Sequence, residues 1–205
     1  MTRIETIASY IEKGEKIIDA GCDQALLSKL LAKKGIYSIA SDLRRNIIEN
    51  AIKSTPYNLE KYITYRVGYG ITLTNNEKNY TVVLAGMGTH TILDIIKEYN
   101  KPIKKLITVS NNDHYLLRKT MNSLGYIIDK EEIIKEKDKY YNLIIFKKGD
   151  KKYTLEELTI GVNHQNINLL KERNEYLINK YEKILTKTKN EELENIVKIL
   201  KNYTY

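Results

Sequence analysis

The chain has 205 residues, of which 34 are basic and 26 acidic, giving a formal net charge of +8, and it carries one cysteine and three histidines. That length suits one full α/β domain plus a small appendage. A lone cysteine excludes an internal disulfide and a cysteine metal cluster, the scattered His90, His114 and His164 give no metal spacing, and no apolar run reaches the ~18 residues of a transmembrane span. The basic excess favours an anionic partner such as nucleic acid. It is supporting evidence only, because a chain crowded with Lys, Asn, Ile and Tyr, with no Trp and two Pro, has the composition that AT-rich coding produces. Met1-Thr2-Arg3-Ile4-Glu5 lacks the apolar region of a signal peptide, so a cytoplasmic protein is expected.

A first helix, read at Thr2–Ile11, precedes the sheet and is placed to cap a ligand pocket. The next stretch, Lys16-Ile17-Ile18-Asp19-Ala20-Gly21-Cys22-Asp23, is an apolar strand running into an acid, a glycine and a second acid. Gly21 lets the backbone turn tightly and approach a ligand, beside the N-terminus of a helix read at Gln24–Lys33. A second strand, Ile36–Ala40, ends near Asp42, the position from which a carboxylate reaches ribose hydroxyls, with Leu43 beside it. A dinucleotide pyrophosphate asks for Gly-x-Gly-x-x-Gly, yet positions 23 and 26 are Asp and Leu, and no Gly-Lys-Ser/Thr occurs. One glycine flanked by acids suits a cationic, phosphate-free adenosine ligand, of which S-adenosylmethionine is the common one. A strand–Asp–x–Gly turn that binds nothing is the competing reading.

A helix at Arg45–Ser54 leads to a third strand, Ile63–Val67. Strands at Tyr80–Ala85 and Lys105–Val109 are followed by helices at Thr91–Glu98 and Tyr115–Leu124. Such alternation predicts a parallel, doubly wound sheet with its binding face at the carboxyl ends of the strands. Apolar runs at Ile127–Ile134 and Tyr140–Phe146, joined by a charged link without a helix, predict an antiparallel pair completing seven strands. A basic hinge, Lys147–Lys152, closes a first unit of residues 1–150. Residues 151–205 read as a helical hairpin: Ile167, Leu170, Asn174, Leu177, Tyr181 and Ile184 fall near heptad spacing, as do Leu193, Ile196, Val197 and Leu200, with a turn at Lys187–Asn190. The first unit holds 24 basic against 18 acidic residues and the tail 10 against 8, so the tail is not the more basic part. It is equally a packing or oligomerisation element or a grip on nucleic acid.

The fourth strand ends in Val82-Val83-Leu84-Ala85-Gly86-Met87-Gly88. With Asp19-Ala20-Gly21-Cys22-Asp23, that end resembles the bacterial TrmK family. Arg66–Gly70, Ser110-Asn111, Leu117-Arg118, Glu131–Ile134 with Tyr140, and the helical tail carry the likeness along essentially the whole chain. The resemblance implies a Rossmann-like class I methyltransferase that moves a methyl group from S-adenosylmethionine to N1 of adenine 22 in tRNA. Four departures stand out: Cys22-Asp23-Gln24 where the family usually has Ser-Asp-His, Tyr69 in place of Asp in Gly68-Tyr69-Gly70, Thr89 in place of Gly, and Ser110 in place of Pro.

The resemblance and the loop positions together assign roles. Asp19, Gly21, Cys22, Asp42, Leu43, Gly68, Tyr69 and Gly70 are expected around the donor, as are Ala85, Gly86, Met87 and Gly88. Asp23 is the expected catalytic carboxylate, with an N-cap as its structural alternative. Asn111 is expected to read the adenine edge, or else to be a turn residue. Cys22 reads as a packing residue rather than a nucleophile, and His90 and His114 as surface or cap residues without a role. Arg44, Arg45, Lys101, Lys104, Lys105 and Arg118 are the expected tRNA contacts, and Tyr69, Tyr115 and Tyr140 are candidate stacking rings. The expected partner is tRNA, with no membrane, no DNA, no metal and a monomer favoured. The alternatives are a methyltransferase for another RNA, a protein or a small molecule, and a catalytically silent RNA-binding relic of the fold.

Overall fold

The computed structural model describes residues 1–72, 79–99, 101–164 and 166–204. Seven strands form one sheet: β1 (Lys16–Ala20), β2 (Ser38–Asp42), β3 (Ile63–Val67), β4 (Tyr80–Met87), β5 (Lys105–Ser110), β6 (Tyr126–Glu136) and β7 (Lys139–Lys148). Their order is β3-β2-β1-β4-β5-β7-β6. The first five pair in parallel, and β7 is inserted antiparallel between β5 and β6. β1, β2, β4 and β5 are buried almost end to end, which is why they read as unbroken apolar runs rather than alternating ones. The direction of winding reverses between β1 and β4, so a crevice opens at their carboxyl ends.

Nine helices occur among the described residues: α1 (Arg3–Ser9), α2 (Leu26–Lys33), α3 (Arg45–Lys53), α4 (Tyr57–Glu60), α5 (Thr89–Tyr99), α6 (His114–Ser123), α7 (Leu155–Ile160), α8 (Ile167–Leu185) and α9 (Glu191–Thr204). Adjacent strand residues point to opposite faces. Ile18, Val82 and Leu106 accordingly pack with α5 and α6 through Ile92, Ile96, Leu117 and Met121. Ile17, Val83 and Ile107 pack instead with Ile7 of α1 and Leu27 and Leu31 of α2. The short α4 and α7 were not expected from the sequence. α7 is set by a capping box in which Thr154 and Glu157 satisfy each other's backbone N–H groups.

Helix α2 begins two residues later than expected, because Asp23 (φ 49°) and Ala25 (φ 53°) both adopt the left-handed conformation and hold the loop out of the helix. The tail is the expected hairpin, but its buried stripe is not a straight two-helix seam. Leu170, Asn174 and Ile178 are buried while Ile167 and Ile184 are exposed, since α8 also packs on Ile133 of β6 and Ile160 of α7.

That docking is polar at its centre. Arg118 of α6, fully buried, forms an ion pair with Glu131 of β6 and donates to the carbonyls of Leu158 (2.9 Å) and Thr159 (3.2 Å). Glu131 also accepts from Asn142 (3.0 Å) and from the Val162 N–H (3.3 Å). Arg173 of α8 donates to Ile160 O at 2.7 Å. Gly161 (φ 97°) lets the chain pass here, as a Cβ would stand 2.5 Å from both Glu131 Oε2 and His164 Nε2. Arg118 is therefore no tRNA contact: all of its reach is spent inside the protein, and this corrects the expectation drawn from its charge.

Candidate functional site

At the carboxyl ends of β1 and β4 lies a cleft of about 900 Å3. Its floor is the loop after β1. The N–H groups of Gly21 and Cys22 donate to Ser41 O at 2.8 and 2.9 Å, and Ala25 N–H donates to Cys22 O at 2.8 Å, so the loop is fastened to β2. Gly21 sits at φ 73°, a conformation that favours glycine, and a Cβ built on it would push aside the flexible end of Met87. Cys22 packs in the apolar cluster under the loop, and burial pushes its thiol pKa up, as fits a packing role rather than a nucleophile.

Four carboxylates border the cleft: Asp113 caps α6, and the other three are in different states. Asp19 is buried, and burial raises its pKa to about 6 despite a hydrogen bond from Ser28 (3.0 Å). Burial also pushes Asp42 up, but hydrogen bonds and charge from Arg44 outweigh it and hold Asp42 below the usual range. Arg44 reaches Asp42 Oδ1 from its backbone N–H (3.0 Å) and from Nε (3.1 Å). Asp23 is exposed at the rim; α2 is capped at Ala25, so Asp23 does not serve as its N-cap.

Asn111 also reaches the cleft, with its N–H on Met87 O (2.9 Å) and its side-chain nitrogen on Gly86 O (2.8 Å). One N–H of the side-chain amide thus holds β4 to β5, leaving its second N–H and its Oδ1 for a ligand. The family departures at positions 89 and 110 meet each other behind this clasp. Thr89 Oγ1 and Ser110 Oγ lie 2.7 Å apart, and Thr89 also donates to Asn112 O at 2.6 Å. Each hydroxyl is buried and satisfied by the other substitution.

Of the expected donor residues, Asp19, Gly21, Cys22, Asp42, Ala85, Gly86 and Met87 do line the cleft. Leu43, Gly68, Tyr69, Gly70 and Gly88 do not: Leu43 points to solvent, Gly70 packs on Ile95, and Tyr69 is exposed beyond β3. Arg44 is at the rim, whereas Lys101, Lys104 and Lys105 lie where β5 begins, at the opposite edge of the sheet. Lys105 is moreover held by Glu15 (2.6 Å) and by Tyr10 O (2.9 Å). Arg45 is exposed at the start of α3, outside the cleft lining. His114 is buried rather than a surface or cap residue, and burial with Arg118 and Arg173 nearby lowers its pKa to about 3.

The far wall was missed from the sequence. Tyr176, Leu177, Lys180 and Tyr181 of α8 face the donor side across the cleft, with Tyr140 and Tyr141 of β7 between. Tyr140 and Tyr176 are 5.5 Å apart, tilted at 47°. α1 closes the end through Arg3, whose guanidinium lies 4.2 Å from the Tyr141 ring, as the capping role expected for the first helix requires. Heptad spacing marked Tyr181 but carried no sign that α8 folds back over the strand ends. Among the described residues no group of three His, Cys, Asp or Glu is placed to hold a metal ion, and no helix is long and apolar enough to cross a membrane.

Residues 1–144 match the family model described as a methyltransferase domain. A curated relative, the tRNA (adenine(22)-N(1))-methyltransferase of Bacillus subtilis, is 25% identical over 155 residues, or 73% of this chain. The match spans about two thirds (65%) of that relative's length. The structure of M. capricolum TrmK with its natural cofactor product S-adenosyl-homocysteine is 26% identical, covering 100% of this chain and 97% of that one, with a TM-score of 0.84. The m1A22 methyltransferase candidate of Streptococcus pneumoniae in complex with S-adenosyl-L-methionine shares the fold at TM-score 0.87 and 22% identity, covering 99% of this chain and 98% of that one.

Proposed function

Since the chain belongs to the methyltransferase-domain family, we propose that it is a tRNA methyltransferase of the TrmK type, using S-adenosylmethionine to methylate N1 of adenine 22. The observation that carries this reading is the likeness to M. capricolum TrmK over the whole chain, helical hairpin included, rather than over the donor half alone. The cleft supports it. Its volume of about 900 Å3 stands near the top of the range of small-molecule sites, and its two walls differ in chemistry, carboxylates on one side and tyrosines with Lys139 and Lys180 on the other.

The residues present fit the donor. Gly21 opens the turn, Asp42 ends β2 where ribose hydroxyls are met, and Asp19 places a buried carboxylate beside a cationic ligand. The exposed Arg44 is a weak competitor for Asp42 that gives way to two hydroxyls. That donor supplies a methyl group on a positively charged sulfur, while adenine N1 brings its own lone pair, so no general base is needed and the product ring is cationic. What the protein contributes is placement. Adenine N1 is normally paired or stacked, so the base must be extruded, and unstacking costs about a few kcal/mol. Tyr140, Tyr176 and Tyr181 stand where stacking offsets that cost, and Asp23 offsets the positive charge developing on the ring. In this division residues 1–150 hold the donor and residues 151–205 complete the acceptor side.

Incubation with bulk tRNA and methyl-labelled S-adenosylmethionine, then digestion to nucleosides, tests the proposal. 1-Methyladenosine is expected, lost in Asp23→Ala while donor binding by calorimetry persists. Any other methylated product rejects the reading, and absence of donor binding marks a silent relic.

A further inference from the structure

A second chamber, about 550 Å3, lies between the start of α6 and the helical hairpin. It adjoins the donor cleft: Asp113, His114, Leu177, Lys180 and Tyr181 border both spaces. One side is apolar, made by Leu116 of α6 and by Leu193, Ile196 and Leu200 of α9, and Tyr115 adds an aromatic ring. The opposite side is polar, with Asp113, Asn190 and Glu192 among its lining residues, and two of its cationic or titratable groups, Arg173 and His114, are buried. Arg173, 1% exposed, borders the chamber; it has no ion-pair partner among the described residues, and its Nε has no hydrogen-bond partner. His114 is buried there as well, and its ring Nε2 faces Ser110 O at 3.2 Å. Held neutral by burial and by the two arginines, that ring donates from Nε2 and leaves Nδ1 as an acceptor.

A buried donor without a partner is costly unless a ligand supplies an acceptor. An apolar side chain from a protein partner would fill the space and leave Arg173 unmatched. A free anion would match Arg173 and gain nothing from the apolar wall. A flat heteroaromatic ring with carbonyl or ring-nitrogen acceptors on its edge satisfies both. We infer that this chamber takes a second nucleobase of the same RNA, a direct neighbour of the base that enters the donor cleft. Lys180, exposed and bordering both spaces, meets the phosphate that joins the two nucleotides. The chamber thus reads the sequence context of the methylated base, through Arg173 and His114 on its edge. This inference rests on the tRNA reading above.

The test uses full-length protein, S-adenosyl-homocysteine and tRNA transcripts carrying 2-aminopurine at position 22 or at either flanking position, one probe per transcript. Binding should raise the emission of the position 22 probe and of one flanking probe. In Ile196→Trp, which fills the chamber, the flanking response should vanish, the KM for unlabelled tRNA, measured with S-adenosylmethionine instead, should rise at least about fivefold, and donor affinity should stay unchanged. Leu193→Phe fills the same space with a smaller ring and serves if the tryptophan variant does not fold, as judged by its thermal melt. A position 22 response with no flanking response, or wild-type tRNA kinetics in a folded, filled variant, overturns the second chamber alone. Silence from position 22 itself overturns the tRNA reading and the chamber with it.

Discussion

The rim around Gly21 and the joint beneath the C-terminal hairpin are both polar places in an apolar molecule, and they are assembled in opposite ways. The rim is built from short segments at the ends of adjacent parallel strands, and its charges range from the buried Asp19 and Asp42 to the exposed Asp23 and Arg44. The joint gathers Arg118, Glu131, Asn142 and Arg173 from α6, β6, β7 and α8, with every charge removed from water. A rim of this kind can lose a charge and remain folded. A joint of this kind cannot, because a buried ion left without its partner is far more costly than an exposed one.

The strongest way to break the comparison is Glu131→Ala. It leaves Arg118 and Arg173 buried together without a counter-charge, and urea denaturation should show a loss of about 3–5 kcal/mol. Arg44→Ala at the rim should leave the urea midpoint within error of wild type. Tyr176→Ala comes next: removal of one stacking ring from the α8 wall should lower kcat/KM for tRNA about 5- to 150-fold with donor affinity unchanged. Gly21→Ala should cost about 1–2 kcal/mol, from forcing a Cβ into the left-handed conformation, and should weaken donor binding in calorimetry.

A smaller effect sharpens the contrast through pH. The Asp19 carboxyl is raised from 3.8 to about 6 in the folded chain, so this group favours folding at low pH and loses that contribution as pH rises through about 6. Donor binding runs the other way, because the cation prefers the ionised form; affinity should fall roughly tenfold between pH 7 and pH 5. Asp19→Asn should flatten both profiles. The smallest expected change is in salt dependence. Lys180→Ala should lower the slope of log affinity for tRNA against log salt by somewhat under one unit, about 0.7–0.9, while Lys104→Ala, at the far edge of the sheet, should leave it unaltered.

The same contrast explains what was legible in the chain. β1, β2, β4 and β5 are buried on both faces, so each shows as an apolar run, and the loops that follow them fall at the carboxyl edge by topology alone. Asp19, Gly21, Asp42 and the Ala85–Met87 segment were found for that reason. Arg118 was misjudged because a lone basic residue on a helix looks the same whether it meets solvent or a glutamate thirteen positions away. The α8 wall was invisible for a related reason: period 3.6 marks which residues share a face and says nothing of what that face meets. Thr89 and Ser110 looked like two independent losses until folding placed their hydroxyls together.

The backbone around Gly161 bears on how this protein can be divided. Arg118 takes carbonyls from residues 158 and 159, Glu131 takes the N–H of residue 162, and both side chains belong to the sheet half. A truncation after residue 150 would strip those ligands from the pair and uncover both it and the apolar face around Ile133 that the tail packs on. The tail is thus a keystone rather than an accessory, and a shortened chain should aggregate on expression instead of yielding a soluble donor-binding half.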